Sequence, residues 1–215
     1  MQVGIIGSGE VGQTLGKAFL AEGHSVMLAS RDAHKPELAQ WQKNNPKGQT
    51  GSFRDAARFG DWLVLCVAGS GAEEALRQAG VENLAGKVIM DTTNPIEKAP
   101  PVNGVLKFFT TLEDSLMERL QRLAPEAKLV KAWNSVGSDF MYKPAFPGGT
   151  PTMFICGNDA AAKQTVTGIL TAFGWETEDM GQIEAARAIE PLCLLWCIPG
   201  FIRNQWTHAF KLLKM

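Results

Sequence analysis

The sequence predicts a doubly wound α/β fold: a mostly parallel sheet with helices on both faces and a short C-terminal strand/helix extension. Three observations predict it. Short segments rich in Val, Ile and Leu alternate with segments of helical period through the first two thirds of the chain. Gly, Asp or Asn closes most of the apolar segments. A glycine-rich turn, GSGEVG, separates the first apolar segment from the first helix. The 215 residues, 45% hydrophobic and 20% charged, suffice for one domain with a small annex.

The first strand is expected at Val3–Ile6 and the first helix at Glu10–Glu22, where Val11, Leu15, Ala18 and Phe19 recur at helical spacing before the Gly23 stop. Ser25–Ala29 predicts a second strand and Lys35–Lys43 a second helix. NNPKGQTGS then reads as a loop and Phe53–Phe59 as a short helix. Strands at Trp62–Val67, Lys87–Asp91 and Leu129–Ala132 are joined by helices near Ala72–Gln78 and Leu112–Leu123. Thr93–Thr110, with Asn94-Pro95 and Pro100-Pro101, predicts a long irregular loop of the kind that carries function in compact domains. After the FPGGTP break come a strand at Thr152–Cys156, a helix at Ala160–Phe173 and a short strand at Trp175–Thr177. Gln182 to about Leu213 is expected to be mainly helical, bent or broken at Pro199-Gly200. Residues 1–150 are thus the main domain and residues 151–215 an extension packed on it.

Composition narrows the function classes. With 21 Lys+Arg against 22 Asp+Glu, net charge −1, the chain has no electrostatic reason to take nucleic acid or an anionic membrane as its main partner. Cys66, Cys156, Cys193 and Cys197 lie scattered in or beside apolar runs. They read as reduced core residues without the paired spacing of a zinc site, so no metal is expected. The start, MQVGIIGSGEVG, has no basic segment or cleavage signal, and a cytoplasmic location is the expectation. The charge-free stretch within Pro191–Ile202 is too short for a spanning helix and reads as a buried or interface helix.

Gly7-Ser8-Gly9-Glu10-Val11-Gly12 is G-x-G-x-x-G, directly after a buried strand and directly before a helix, the fingerprint of a Rossmann-type dinucleotide-binding domain in residues 1–150. Gly7 permits the tight turn, Gly9 lets the backbone approach a pyrophosphate, and Gly12 lets the helix pack close to the strand. Free N–H groups at the helix start face the phosphates. The second strand ends in Ser30-Arg31-Asp32. An NAD site keeps an acid there for the ribose 2′-hydroxyl, whereas an NADP site uses Arg and small polar groups. Ser30 stands where the acid is expected, Arg31 suits a 2′-phosphate and Lys35 adds a point charge, so NADP is favoured. Asp32 becomes the acid if the strand runs further, and either Ser30 or Asp32 otherwise serves as a helix cap.

The later strand ends border the nicotinamide half of such a site. Val67 and Ala68 are small enough to let a cofactor lie flat, and Asn94 and Asn134 stand where a carboxamide or substrate carbonyl would be. Each Asn alone is equally a turn residue.

Four segments carry a family resemblance: GIIGSGEVGQTLGKAFLAEGHSVMLASRD, KLVKAWNSVGSDF, FICGNDAAAKQTVTGILTAFGW and ARAIEPLCLLW. Across nearly its whole length the chain resembles the F420-dependent NADP oxidoreductases, in a group that includes the reductase domain of the STEAP metalloreductases. The resemblance implies that Ser30 and Arg31 hold the 2′-phosphate and that Gly7, Ser8, Gly9, Glu10 and Val11 wrap the pyrophosphate. It implies that Ala68, Asn94, Pro95 and Asn134 surround the nicotinamide and a second cofactor, F420 or a flavin. Hydride then passes directly between rings, with no obligatory acid, base or metal. At the position of Asn134 the archaeal F420 enzymes carry His and the STEAP-like branch Asn, which opens the acceptor to a flavin or a quinone-like molecule.

Near the C-terminus Ile189, Leu192, Cys193, Trp196 and Cys197 form a wide apolar stripe, which Leu195, Ile198 and Phe201 extend. Homodimerisation through this helix is expected, with packing on the sheet as the alternative. Glu190 and Arg203 read as solvated charges or as residues facing the second-cofactor pocket. Two other functions share the first domain: reduction of a small C=N or C=O substrate, as in pyrroline-5-carboxylate reductase or β-hydroxyacid dehydrogenases, and non-catalytic redox sensing through bound NADP.

Overall fold

The computed structural model describes residues 1–215. Six parallel strands form one sheet: β1 Gln2–Ile6, β2 Ser25–Ser30, β3 Gln49–Ser52, β4 Trp62–Leu65, β5 Val88–Asp91 and β6 Lys128–Lys131. Their order is β3-β2-β1-β4-β5-β6. The chain winds outward from β1 through β2 and β3, then returns to the other side for β4, so the winding reverses between β1 and β4. Ligands of open α/β sheets bind at that reversal, outside the carboxyl ends of the strands. The central strand is apolar on both faces because both are covered: Ile5 lies opposite Leu28 on one side and Val64 on the other.

The helices are α1 Glu10–Ala21, α2 Pro36–Asn44, α3 Phe53–Phe59, α4 Ala72–Ala79, α5 Leu116–Leu123, α6 Ala160–Ala172, α7 Ala186–Ile189 and α8 Leu192–Arg203. On one face Leu15 and Phe19 of α1, Trp41 of α2 and Val166 of α6 join Val3, Val26 and Val130 in a cluster of 25 buried residues. On the other, Ala56 of α3, Leu76 of α4 and Leu120 of α5 join Ile6, Leu63 and Ile89 in a cluster of 23. The two cores are nearly equal, so neither face of the sheet is left to solvent. Capping boxes fix the starts of α3, through Ser52 and Asp55, and of α5, through Ser115 and Glu118. A smaller parallel pair, β7 Thr152–Ile155 and β8 Glu176–Asp179, extends the fold, and Lys131 N–H ties it to β6 through Cys156 O at 3.0 Å.

Five sequence expectations are corrected. Part of the expected loop NNPKGQTGS is β3, an edge strand whose QTGS lacks the apolar signature because only one side of it pairs. Helix α5 starts at Leu116 rather than Leu112, where Ser115 caps it. Strand β8 is Glu176–Asp179 rather than Trp175–Thr177. Helix α8 is not broken at Pro199 but continues through it and ends at Arg203 with left-handed Asn204, far short of Leu213. Pro199 forfeits one helical hydrogen bond, to Leu195, a residue on the exposed side. Residues beyond Asn204 turn back along β7: Thr152 N–H donates to Phe210 O at 2.9 Å and Leu212 N–H to Thr152 Oγ1 at 3.1 Å. Finally, the helical run Ile183–Arg203 spans 21 residues, long and apolar enough by length and composition to cross a bilayer. In this fold Glu190, 1% exposed and ion-paired, sits within that run.

The distance between α1 and β1 is set by Gly12: a Cβ there would lie 2.0 Å from Gly7 O. Gly12→Ala is expected to cost about 1–3 kcal/mol by overpacking against backbone that cannot yield. Chemical denaturation checks this; an unchanged midpoint would contradict the packing argument.

Candidate functional site

The turn after β1 is built from three glycines with different duties. Gly7 has φ +136°, and a Cβ on it would lie 2.5 Å from Cys66 O; Gly12 brings the helix in. Both are required by the fold. Gly9 is not: a Cβ there meets nothing within 4 Å. The turn therefore leaves free space in front of the α1 N-terminus, a place for a group that approaches the backbone closely. Gln13 braces the turn by donating from Nε2 to Ser8 O at 3.0 Å.

In front of this turn lies a cleft of about 390 Å³. Of the residues predicted from sequence, Gly7, Ser8, Gly9, Ser30, Arg31, Lys35, Val67 and Ala68 line it together. Glu10, Val11 and Gly12 stand behind the turn on α1, and Asn94, Pro95 and Asn134 are not in the cleft wall. Sequence reasoning missed Phe53, Ser70, Gly71, Glu74, Ala75 and Lys98, which also line it. Phe53 and Ala75 add apolar wall, and Phe53 reaches the cleft because β3 places the start of α3 beside the end of β2. Arg31, Lys35 and Lys98 have no carboxylate within 4 Å, although most of the other cations near acids are paired. Three free positive charges on one cleft in a chain of net charge −1 suit an anionic ligand. Asp32 does not point its carboxylate there as a ribose acceptor: Oδ1 accepts from His34 N–H at 2.9 Å, closing the turn before α2.

Cys66 forms the floor. Its thiol points at Ile6 O and Gly7 O, both at 3.5 Å, and burial pushes its pKa well up, which keeps it neutral. No His lines the cleft. A larger, open hollow of about 630 Å³ lies at the start of β6, lined mainly by charged and polar side chains such as Glu118, Lys128 and Asp159. It is at the amino ends of the strands, the wrong end for a ligand of this fold.

At the carboxyl ends of β5 and β6 the structure contains a buried ion cluster that the sequence did not reveal. Lys131 Nζ lies 2.7 Å from Asp91 Oδ2 and 2.9 Å from Glu190 Oε1, and donates to Thr93 O at 2.9 Å. All three ionic side chains are within 2% of full burial. Asp91 Oδ1 accepts from Thr93 N–H and Oγ1–H at 2.9 and 2.7 Å. Glu190 accepts from the Leu116 and Met117 N–H groups at 3.0 and 2.9 Å, so it also neutralises the N-terminus of α5. Glu190 is therefore not a solvated charge: it lines a hollow beside α8, but its carboxylate is spent on these partners. Burial pushes the Lys131 pKa down, but the Asp91 and Glu190 charges outweigh it and the net direction is up. The contribution of the cluster is present at neutral pH and is lost as pH rises past that raised value.

This cluster positions the two asparagines. Asn94 Nδ2 donates to Asn134 O at 2.7 Å, while Asn134 Nδ2 donates to Asn94 Oδ1 at 3.2 Å and to Ile189 O at 2.9 Å. Asn134 is 3% exposed. Its Nδ2 joins β5, β6 and α7, while its buried Oδ1 has no hydrogen-bond partner. Trp133 beside it adopts φ +55°, a conformation costly for a bulky residue and common in functional loops.

Comparison with known proteins follows from this geometry. Residues 2–95 match the family model described as NADP oxidoreductase, coenzyme F420-dependent. A crystal structure of a candidate F420-dependent NADP-reductase from Arthrobacter sp. FB24 is 32% identical, covers 99% of both chains and superposes with a TM-score of 0.91. Metalloreductase STEAP3 from Rattus norvegicus is 30% identical over 212 residues, 94% of this chain. This chain spans 39% of the length of that relative. A reductive aminase from Aspergillus terreus shares the fold alone, at 21% identity and a TM-score of 0.66, and this chain covers 62% of it.

Lys131→Met should cost about 3–5 kcal/mol by leaving two buried carboxylates unpaired. Urea unfolding measures it; a loss below about 1 kcal/mol would show that the cluster is not the clamp described.

Proposed function

As a member of the F420-dependent NADP oxidoreductase family this chain is an NADP-dependent oxidoreductase, and we propose that it moves a hydride between NADPH and a deazaflavin or flavin-like acceptor. One observation carries the cofactor part of the reading. The glycine turn and the unpaired Arg31 and Lys35 share one cleft with Ser30, so sites for a pyrophosphate and for a 2′-phosphate lie on a continuous wall. The residues fit the group: Gly9 leaves the space a phosphate needs, and Asp32, the competing ribose acceptor, closes the turn before α2 through Oδ1 and does not line the cleft.

In this reading the turn receives the pyrophosphate on the Ser8 and Gly9 N–H groups, since the Gly7 N–H is held by Ala29 O at 3.1 Å, and Glu10 and Val11 open α1 behind them. Ser30, Arg31 and Lys35 bind the 2′-phosphate, and Phe53 and Ala75 bound the adenine. Val67 and Ala68 give the nicotinamide half a flat wall. The nicotinamide supplies the hydride. The protein's part is to orient two rings and exclude water. Asn94, Pro95 and Asn134 fix the strand ends against which the rings stack, and Asn94 is the only one of the two asparagines with exposed surface to offer a carboxamide. For the acceptor we propose the hollow of about 330 Å³ walled by Leu106, Phe108, Pro191 and Leu194, with Lys107, Thr110, Thr111, Arg187 and Glu190 as its polar lining. Apolar walls suit a planar ring, and the polar groups among them fix its orientation. The buried, neutral Cys66 and the absence of a His from the cleft fit a transfer that needs no protein acid or base.

Helix α8 is not wrapped on all sides. Leu195, Phe201 and Ile202 are 56, 44 and 55% exposed, beside Val102 and Val105. We propose that this face joins two copies of the chain; light scattering should then give a dimer mass that falls to the monomer in Ile202→Glu, and a wild-type monomer would contradict it.

The cofactor assignment has its own test. Arg31→Ala should weaken NADPH by about 2 kcal/mol, on the order of 30-fold, with little change for NADH. Equal losses for both would refute the 2′-phosphate site. Oxidation of NADPH followed with F420, FMN, riboflavin and ferric chelates identifies the acceptor; turnover with F420 or a flavin is expected, and tight binding without oxidation by any of them would overturn hydride transfer to this class.

A further inference from the structure

The segment between β5 and α5 is an ordered antiparallel ribbon rather than the expected irregular loop. Ile96 bridges Phe108, Glu97 N–H donates to Lys107 O at 2.8 Å, and Phe109 N–H donates to Pro95 O at 2.9 Å. Its tip closes through reciprocal Val102–Val105 bonds at 3.0 Å. Asn103 and Gly104 make the turn with φ +50° and +81°, the two positive values a tight hairpin needs. The ribbon is seated on α8: a Cβ on Gly104 would lie 2.7 Å from Ile202 Cγ1, and Leu106 and Phe108 pack on Cys193, Trp196 and Cys197.

From this fixed support Lys98 enters the wall of the dinucleotide cleft. Its neighbour Glu97 is committed, pairing with Lys107 at 3.2 Å. Strand order decides which part of the cleft Lys98 serves. Arg31 and Lys35 follow β2, while Lys98 follows β5, three strand spacings away, about 14 Å. The glycine turn follows β1, between them. That turn offers only neutral N–H donors and a helix dipole to a doubly charged pyrophosphate, and two carboxylates stand close to it: Glu10 in the first turn of α1, and Glu74 in the cleft wall. A cation from the β5 side is needed there for balance.

We propose that Lys98 is a pyrophosphate-binding residue, held over the glycine turn by the 95–109 ribbon. This rests on the NADP reading of the cleft. It also gives the ribbon two duties, since one arm reaches the dinucleotide and the other, through Leu106 and Phe108, walls the proposed acceptor hollow.

The test is titration of the full chain with NADPH and, separately, NADH, for the wild type, Lys98→Ala and Lys98→Arg. Both cofactors carry the pyrophosphate and only one carries the 2′-phosphate. Lys98→Ala should raise Kd for both by the same factor, about tenfold for a lost charge-assisted contact, and Lys98→Arg should recover most of it. Lys98 is exposed, so thermal midpoints should not move. Unchanged Kd values for both cofactors would overturn the proposal, and so would a loss confined to NADPH, which would place Lys98 on the 2′-phosphate. A wild type that binds neither cofactor would instead refute the reading of the cleft itself.

Discussion

The arrangement of the site depends on one buried interaction, the Lys131 ammonium held between Asp91 and Glu190. Removing three charges from water is costly, and it is sustained only where every donor and acceptor is used. Here Lys131 has three acceptors, Asp91 has two donors from Thr93, and Glu190 has two backbone N–H groups at the start of α5. The surplus negative charge of two carboxylates and one ammonium faces the positive end of a helix. The cluster thus connects β5, β6, α5 and the helical segment carrying Glu190. Asn94 and Asn134 repeat the same connection one residue layer further along. Strand ends held this way make a rigid wall, which the proposed transfer between two stacked rings would use.

Charge is distributed in two regimes. At the β5 and β6 ends it is paired and dry, and it does structural work. In the dinucleotide cleft, Arg31, Lys35 and Lys98 are left without carboxylate partners and are wet. The same contrast separates the glycines: Gly7 and Gly12 answer to neighbouring backbone, whereas Gly9 answers to nothing in the chain. In the cleft the three unpaired cations and the unforced Gly9 fall on one continuous surface.

Much of the nucleotide half was legible in the sequence because its signals are local. The G-x-G-x-x-G turn and the Ser30-Arg31 pair each act through a few consecutive residues, and the apolar strands announce their burial. What stayed hidden is non-local or disguised. Strand β3 is polar, so its pairing with β2 leaves no apolar run to read. Glu190 sits among Ile, Pro, Leu and Cys, where a charge reads as solvated; its partners are 59, 73 and 74 residues away in sequence, at Lys131, Met117 and Leu116. Pro199 reads as a helix break, yet a helix tolerates it where the lost bond lies on the solvent side. The ribbon did leave a signal: Val102-Asn103-Gly104-Val105 is an Asn-Gly hairpin turn between β-branched residues, masked by the three prolines before it, Pro95, Pro100 and Pro101.

A crystal structure of the chain with NADP is the decisive measurement for the NADP site proposed in front of the glycine turn. The 2′-phosphate is expected within hydrogen-bonding distance of Ser30 and Arg31, with the pyrophosphate over Gly9. A ribose held by the Asp32 carboxylate, or a nucleotide bound outside this cleft, would contradict it.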